Sequence, residues 1–415
     1  MRRGELRMNL IKGSVLQHQL KKRQDEQTGR TVTQLTSLAG NHHHLYFTSN
    51  SFTADNRHVL YISDLGTGNP NLFKLTLDDG AAVQLTDNRD GYMQSYVYYD
   101  GNPYRGLAKA SPSFAPVAGK LLYIQGDEAR LLDVDTLEER TIYVLPEHVM
   151  TGFTHLSGDG RYACIPYIDA PAFEVGEGNP FGLIRDKVKK EQMLSYIIVI
   201  DTTNGETLYS FSHQGWVTHV QFHPNDPHIV LFNHEGGMVQ QRIWMYDHGT
   251  ISKVRDQSDG GASLWICHEM WTSDGQAVIY HGTRGVPNDP AMNQNEGSKD
   301  EVVSFVGYMD TRDGKCAEVS FLPEMTAYGH FTASTDDTLL VTDGIIDKTS
   351  IHLCRMDWQR SELEMTFLCC HNSSFSVQDV HPHPIFSHND RYILFTSDAH
   401  NERTKGNVYL IDLQE

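Results

Sequence analysis

The chain has 415 residues and a formal net charge of −19, with 53 acidic side chains against 34 lysines and arginines, and it contains 22 histidines. The acidic balance disfavours nucleic acid as a partner, because phosphate backbones bind cationic surfaces. No apolar run reaches the roughly 18 residues that a membrane-spanning helix needs. The basic N-terminus also lacks the apolar segment of a secretory signal, so we expect a cytoplasmic protein with no membrane partner.

The 6 cysteines are scattered, with no C-x-x-C spacing. This pattern argues against a disulfide framework and against a thiolate zinc site, so we expect reduced cysteines. Histidine is the more informative residue type, because imidazole is both a metal ligand and a base near neutral pH.

A pattern of short strands first becomes clear at residues 52–87. Apolar or alternating runs cover 59–64, 71–77 and 82–86, and Gly, Asn and Asp separate them, which is typical of strands and hairpins. The same pattern recurs six times, at residues 113–145, 156–212, 220–254, 269–322, 331–370 and 384–413. Seven such units predict a repeat architecture and one domain rather than two or three.

The seventh unit ends before its fourth strand, and the segment RTVTQLT at 30–36 matches the run that ends the first unit. We therefore predict an all-β fold, a seven-bladed β-propeller closed by its N- and C-terminal strands over residues 28–415. Residues 1–27 are predicted to be an extension outside the propeller. An insertion at about 171–194 in the third blade contains FGLIRDKVKKEQML, which predicts a short amphipathic helix.

Several histidines fall at one phase of the repeat. In a propeller the innermost strand of each blade starts at one face of the disc, and the loop between its second and third strands returns to that face. Six residues before the first turn of their units lie His219, His268, His330 and His383, with His155 and His381 close to that phase. A polar residue duplicated with the repeat for structural reasons is the alternative, above all for His219 and His155.

The sequence QDVHPHP places His381 and His383 two residues apart. In an extended segment both side chains point to the same side, and the following prolines favour an extended backbone. Gln378 can add an amide oxygen, and His330 of the neighbouring blade a third imidazole. Three imidazoles and one oxygen without thiolate suit Mn²⁺ among several divalent ions, with positions left open for Lewis-acid chemistry.

His268 would lie beside this metal site at the same level of the channel and is the candidate base. Loops opening on the same face carry His234 with Arg242, and His281 with Arg284. Arginine offers the forked cationic group that binds carboxylates, although Arg242 could equally form a salt bridge at the start of a strand. The candidate substrate-binding residues are His43, His155, His219, His234 and Arg284.

These motifs resemble the oligogalacturonate lyases, seven-bladed propellers that complete pectin degradation in the bacterial cytoplasm. The resemblance covers roughly residues 28–415 and is carried by the segment 381–398, by Gln378, by H-E-x-W at 268–271, by His330 and by HEG and RIW within 234–244. It implies that His330, Gln378, His381 and His383 bind manganese, although another divalent cation is possible. It also implies that His268 is the base and that Arg242 contacts the substrate.

The resemblance implies cleavage of digalacturonate and short oligogalacturonides by β-elimination, giving an unsaturated uronate that rearranges to a keto-deoxy sugar acid. A non-catalytic TolB-like or WD-like propeller that serves as a binding scaffold is one alternative, and a lyase for a different uronate oligosaccharide is another. A peptidase-type hydrolase is disfavoured because no G-x-S-x-G motif occurs. The basic residues of the insertion could hold an oligouronate, form a solvated helix or make a subunit contact: Arg185, Lys187, Lys189 and Lys190.

Overall fold

A computed structural model describes residues 10–236, 239–258, 264–285, 303–322 and 329–415, and these residues form seven antiparallel sheets. The sheets are the blades of a seven-bladed β-propeller, so the predicted fold class is confirmed. The six cysteines are all free. None of the helices within the described ranges is long and apolar enough to cross a membrane.

The strands of the first half of the chain are short and follow the predicted units. The N-terminal segment contains β1 (Val15–Gln17), β2 (Lys21–Gln24) and β3 (Thr31–Gln34). The first blade contains β4 (His42–His44), β5 (His58–Ser63), β6 (Asn71–Thr76) and β7 (Ala81–Gln84). The second contains β8 (Ser113–Ala115), β9 (Lys120–Gln125), β10 (Glu128–Asp133) and β11 (Glu139–Val144). The third contains β12 (Val149–Thr151), β13 (His155–Leu156), β14 (Tyr162–Asp169), β15 (Leu194–Asp201) and β16 (Thr207–Gln214).

The remaining four blades complete the ring. The fourth contains β17 (Val220–His223), β18 (Asp226–Asn233), β19 (Ile243–Asp247) and β20 (Thr250–Lys253). The fifth contains β21 (Trp265–Trp271), β22 (Ala277–Arg284), β23 (Val303–Asp310) and β24 (Cys316–Ser320). The sixth contains β25 (His330–Ala333), β26 (Leu339–Asp343), β27 (Ser350–Asp357) and β28 (Glu362–Cys370). The seventh contains β29 (Ile385–Phe386), β30 (Tyr392–Ser397) and β31 (Asn407–Asp412).

The ring closes as the sequence predicts, because β3 supplies the strand that the seventh blade lacks. β3 pairs antiparallel with β31, with Val32 opposite Ile411 and Gln34 opposite Tyr409. The expectation that residues 1–27 lie outside the propeller is wrong for their described part. β2 pairs with β3, and β1 pairs with β7, so both extend the outer edges of blades. Pairing satisfies backbone groups that an edge strand would leave open.

The apolar core lies between neighbouring blades, since each sheet packs against a sheet on both sides. Between the first two blades, Leu60 and Leu72 pack with Leu121, Tyr123 and Leu132, and all five are almost fully buried. Strands covered on both faces read as continuous apolar runs, which explains sequences such as the HVLYIS of β5. The sheets are therefore held side by side, and the innermost strands are left to line the central channel.

The insertion in the third blade contains the predicted helix, α1 (Pro180–Glu191). The Asn179 side chain caps the helix start by accepting a hydrogen bond from the Phe181 N–H, and Gln192 ends the helix in a left-handed conformation. Ile184 and Val188 are buried against an aromatic cluster that includes Trp216. The helix is thus packed onto the propeller through its apolar face.

Candidate metal centre and active site

Three histidines from the sixth and seventh blades meet at one mouth of the central channel. His330 is the first residue of β25, while His381 and His383 precede β29. One ring nitrogen of each lies within 4.8 Å of the others. His383 Nε2 is buried and has no hydrogen-bond partner among the described residues. A buried nitrogen of this kind, facing two other imidazoles, fits a divalent metal ion, since a buried polar atom needs a partner.

Asp343 holds two of these histidines in place. This fully buried carboxylate accepts hydrogen bonds from the His330 N–H at 2.6 Å and from the His383 N–H at 2.8 Å, and it lies 3.1 Å from His330 Nδ1. Because Nδ1 of His330 faces Asp343, its Nε2 is the nitrogen that would bind a metal. Sequence reasoning missed Asp343, although it stands directly opposite His330 in the hairpin of β25 and β26.

The backbone around His383 differs from the sequence prediction. His381 is extended as expected, but His383 has a φ of 43°, which is left-handed rather than extended. The extended conformation expected before Pro384 is not adopted, because the His383 N–H turns toward Asp343 in the neighbouring blade. The rings of His381 and His383 still meet, with centroids 5.6 Å apart. A non-glycine residue held at positive φ is a strained conformation of the kind found at functional sites.

Gln378 begins a short 3₁₀ turn that ends at Val380, just before His381. It lines the same cavity as His381 and His383. Burial lowers the pKa of His381 to about 3, with a further contribution from His330, and it lowers the pKa of His383 well below its usual value. These imidazoles are therefore neutral at pH 7, which is the form that binds a metal.

His268 lies beside the three histidines, as the repeat phase predicts. Its ring centroid is 4.5 Å from that of His330, and its Nδ1 is hydrogen-bonded to His281 Nε2 at 2.7 Å. A β-bulge between Cys267 and Met270 inserts one extra residue into β21, and His268 has a φ of 52°. A bulge of this kind re-aims a side chain. Burial, and then the neighbouring His330, lowers the pKa of His268 well below its usual value, so the ring is neutral.

Arg242 is buried between two carboxylates. Its Nη1 donates to Glu235 Oε1 at 2.9 Å and its Nε to Glu269 Oε2 at 2.8 Å. All three side chains are almost fully buried. Arg242 therefore forms the salt bridge that the sequence analysis gave as an alternative to substrate binding. Its positive charge is compensated by the two carboxylates. The two ion pairs of Arg242 also connect the loop of the fourth blade to the bulge that carries His268.

Two of the predicted substrate-binding histidines lie near the metal-binding histidines. The His219 ring stacks on Phe153 with centroids 4.6 Å apart, and its Nε2 lies 3.1 Å from the Tyr46 hydroxyl. The Tyr46 ring in turn contacts the His383 ring at 4.9 Å. His43 lines the cavity with His381 and His383.

The other three predicted substrate-binding residues do not line this cavity: His155, His234 and Arg284. His155 lines a cavity at the opposite mouth together with Phe222 and Trp271, because it lies two residues further along its inner strand than the shared phase. His234 is hydrogen-bonded to His213 on β16 at 2.8 Å. Arg284 pairs with Glu318 on the outer strand β24, which directs its charge along the sheet and away from the axis.

Comparisons with known proteins agree with this fold. Residues 10–415 match the oligogalacturonate lyase family. The chain is 25% identical to an oligogalacturonate lyase of Dickeya dadantii, over 94% of this chain and 96% of that protein. An oligogalacturonate lyase solved in complex with manganese has a TM-score of 0.78 at 23% identity, covering 97% of this chain and 98% of that one. The structure of an oligogalacturonate lyase from Vibrio parahaemolyticus has a TM-score of 0.77 at 22% identity, covering 97% of this chain and 98% of that one.

A seven-bladed propeller with histidines gathered at one mouth is the scaffold of a propeller lyase. The match covers nearly the whole chain, and the chain therefore belongs to the oligogalacturonate lyase family.

Proposed function

We propose that this chain is a metal-dependent lyase that cleaves digalacturonate and other short 4-linked oligogalacturonides by β-elimination, in the degradation of pectin. The observation that carries the proposal is the position of a buried neutral His268, 4.5 Å from His330, beside three imidazoles whose nitrogens converge within 4.8 Å. Such a site combines a base with the ligands for a Lewis acid.

The proposed metal ligands are His330, Gln378, His381 and His383, with Mn²⁺ as the ion and another divalent cation as a possible substitute. Imidazole and amide ligands without thiolate suit Mn²⁺ among several ions, and the manganese complex of a family member supports this choice. A cation bound there supplies positive charge to the uronate carboxylate, which makes the adjacent C5 proton easier to remove.

His268 acts as the base in this proposal. Its ring is neutral and its Nδ1 is bonded to His281, so we assign Nε2 as the atom that accepts the C5 proton. The electron pair of the C5–H bond forms the C4=C5 double bond, and the bond from C4 to the glycosidic oxygen breaks. That oxygen takes a proton and leaves with the other sugar. No water is added, so the sum of the product masses equals the substrate mass.

Arg242 has a positioning role in this proposal. Its two ion pairs connect Glu235, in the fourth blade, to Glu269, which directly follows the base. They hold the bulge that aims the His268 ring at the cavity.

We also infer that the protein works in a reducing compartment such as the cytoplasm, since its cysteines are free.

The test compares metal-free and Mn²⁺-loaded protein incubated with digalacturonate. We expect the ultraviolet absorbance of a conjugated uronate to rise only in the loaded sample, with products whose masses sum to the substrate mass. Addition of one water to the products would indicate a hydrolase. Absence of cleavage with every galacturonide, in metal-loaded protein, would contradict the proposal.

The ligand set has its own test in a His381→Ala variant. The variant should purify with far less bound metal than the wild type, as measured by elemental analysis. Full metal content in this variant would show that the ion binds elsewhere.

A further inference from the structure

The long connection between the first two blades, residues 85–112, brings a lysine to the metal cavity. Lys109 lines that cavity together with Gln378, His381 and His383. It also lines an adjoining cavity with His43 and Asp64, on the side of the first blade. The lysine therefore lies where the two cavities meet. Long connections of this kind in compact domains are usually functional.

The ammonium group of Lys109 is held in a defined position. Its Nζ donates to Asp379 Oδ2 at 2.7 Å, and it lies over the ring faces of Tyr98 at 4.0 Å and Tyr92 at 4.4 Å. Cation–π contacts with two rings hold the ammonium group in place. Among the described residues, Asp379 is its one hydrogen-bond partner.

The charge of Asp379 is shared among several donors. Besides Lys109, it accepts hydrogen bonds from Asn41 at 2.6 Å and from the Tyr98 hydroxyl at 2.7 Å, and His43 Nε2 lies 3.3 Å from it. Its negative charge is thus stabilised from several sides, while the lysine has a single acceptor. Asp379 is therefore fixed beside Lys109, and the ammonium group is held at the lining of the cavity.

The two arginines expected to bind substrate carboxylates form ion pairs within the protein instead. Arg242 is enclosed by Glu235 and Glu269, and Arg284 pairs with Glu318 away from the axis. Each residue of an oligogalacturonide carries its own carboxylate. One carboxylate belongs at the metal site in the proposed reaction, and the adjoining sugar brings a second.

We propose that Lys109 binds the carboxylate of the sugar next to the one at the metal site, with His43 beside it in the same subsite. This inference rests on the proposed function. Lys109 then determines specificity for an oligomer charged on consecutive sugars, and Asp379 positions it.

The experiment compares wild type with Lys109→Met, which keeps an unbranched side chain of similar length and removes the charge. We expect KM for digalacturonate to rise at least about tenfold, the factor for one charge-assisted hydrogen bond. We expect kcat to change far less and the metal content to stay at the wild-type level. Lys109→Arg should recover part of the affinity, and a dimer methyl-esterified on the adjoining sugar should bind both proteins equally.

Lys120→Met is the matched control, because Lys120 pairs with Asp133 at 2.8 Å on the second blade, outside the cavity. Its KM should equal that of the wild type. An unchanged KM in Lys109→Met, or an equal rise in the control, would overturn the assignment. Loss of metal in Lys109→Met would also overturn it, because the lysine would then support the metal loop through Asp379.

Calorimetric binding of digalacturonate to the metal-loaded proteins separates this inference from the proposed function. Weaker binding to Lys109→Met supports the lysine even if the wild type fails to cleave, in which case the lyase proposal alone is wrong. Cleavage by the wild type with equal affinity for both proteins contradicts the lysine alone. If the wild type does not bind digalacturonate, both are wrong.

Discussion

Two groups of histidines, one in the first blade and one in the sixth and seventh, share burial but differ in what their ring nitrogens contact. His18 has both nitrogens bonded within the protein, to the Tyr61 hydroxyl and the Ser37 N–H. His44 has its two nitrogens bonded to Thr396 and to the carbonyl of His383. By contrast, Nδ1 of His330 lies 3.1 Å from the carboxylate of Asp343, and Nε2 of His383 is buried without a partner among the described residues.

Burial and residue type therefore do not by themselves identify a metal ligand. An imidazole with both nitrogens bonded is a structural cross-link between segments. An imidazole with one nitrogen fixed by a carboxylate, and the other facing similar rings, is oriented for a metal. Two substitutions and one pH series test whether the two groups of histidines differ in this way.

The largest effect is expected from His268→Gln, since Gln can still bond His281 but cannot act as a base. We expect kcat on digalacturonate to fall by at least about 100-fold, the lower range for loss of a general base. Metal content by elemental analysis should stay at the wild-type level. The control His18→Gln should keep its kcat, and an equal loss in both variants would erase the distinction between the two groups.

A smaller effect is expected from Asp343→Asn, which removes the charge that orients His330. We expect the dissociation constant for Mn²⁺ to rise about 10-fold to 100-fold, as for other groups that orient metal-binding histidines. Titration of metal-free protein measures it. Asp357→Asn is the control, because Asp357 accepts hydrogen bonds from two backbone N–H groups in an exposed turn. Equal affinities in the two variants would contradict the role of Asp343.

The smallest effect concerns pH and the structural histidines. Burial, together with the nearby His42, lowers the pKa of His18 to about 3. The unfolded chain takes up a proton near pH 6.5 and the folded one does not, so stability is full above about pH 6.5 and falls as pH decreases toward 3. Between pH 7 and 5 this one group should account for a loss of about 2 kcal/mol. Urea unfolding of metal-free wild type and His18→Gln checks it, and the variant should lose less stability over this range.

The repeat predicts much of the molecule because each blade uses the same alternation of strand and turn. It places the closing strand β3 correctly, and it predicts that His268 and His330 meet, since equal phase in neighbouring blades means equal height along the channel. His155 shows the limit of this reasoning. A shift of two residues along a strand moves a side chain about 7 Å, which is enough to reach the opposite mouth.

The partners of the charged residues could not be predicted in the same way. Asp343 meets His383 across a blade boundary, and Lys109 meets Asp379 although 270 positions separate them. These contacts depend on how the connections between blades fold over the mouth, and the 85–112 segment has no periodicity that would fix its course. The pairing of residues across the hairpin of β25 and β26 could have predicted the contact between Asp343 and His330. No local sequence pattern predicts the contact between Lys109 and Asp379.

The pairing of β3 with β31 has a consequence for the order of events during folding. Arg30 donates to the carbonyl of Asp412, 382 positions along the chain, and the blade that they share also carries His381 and His383. β3 must wait for β31, which is synthesised much later, and closing so long a loop is slow. The blade that carries His381 and His383 is therefore completed only after β31 has left the ribosome, and any ion that binds earlier must do so without the finished blade.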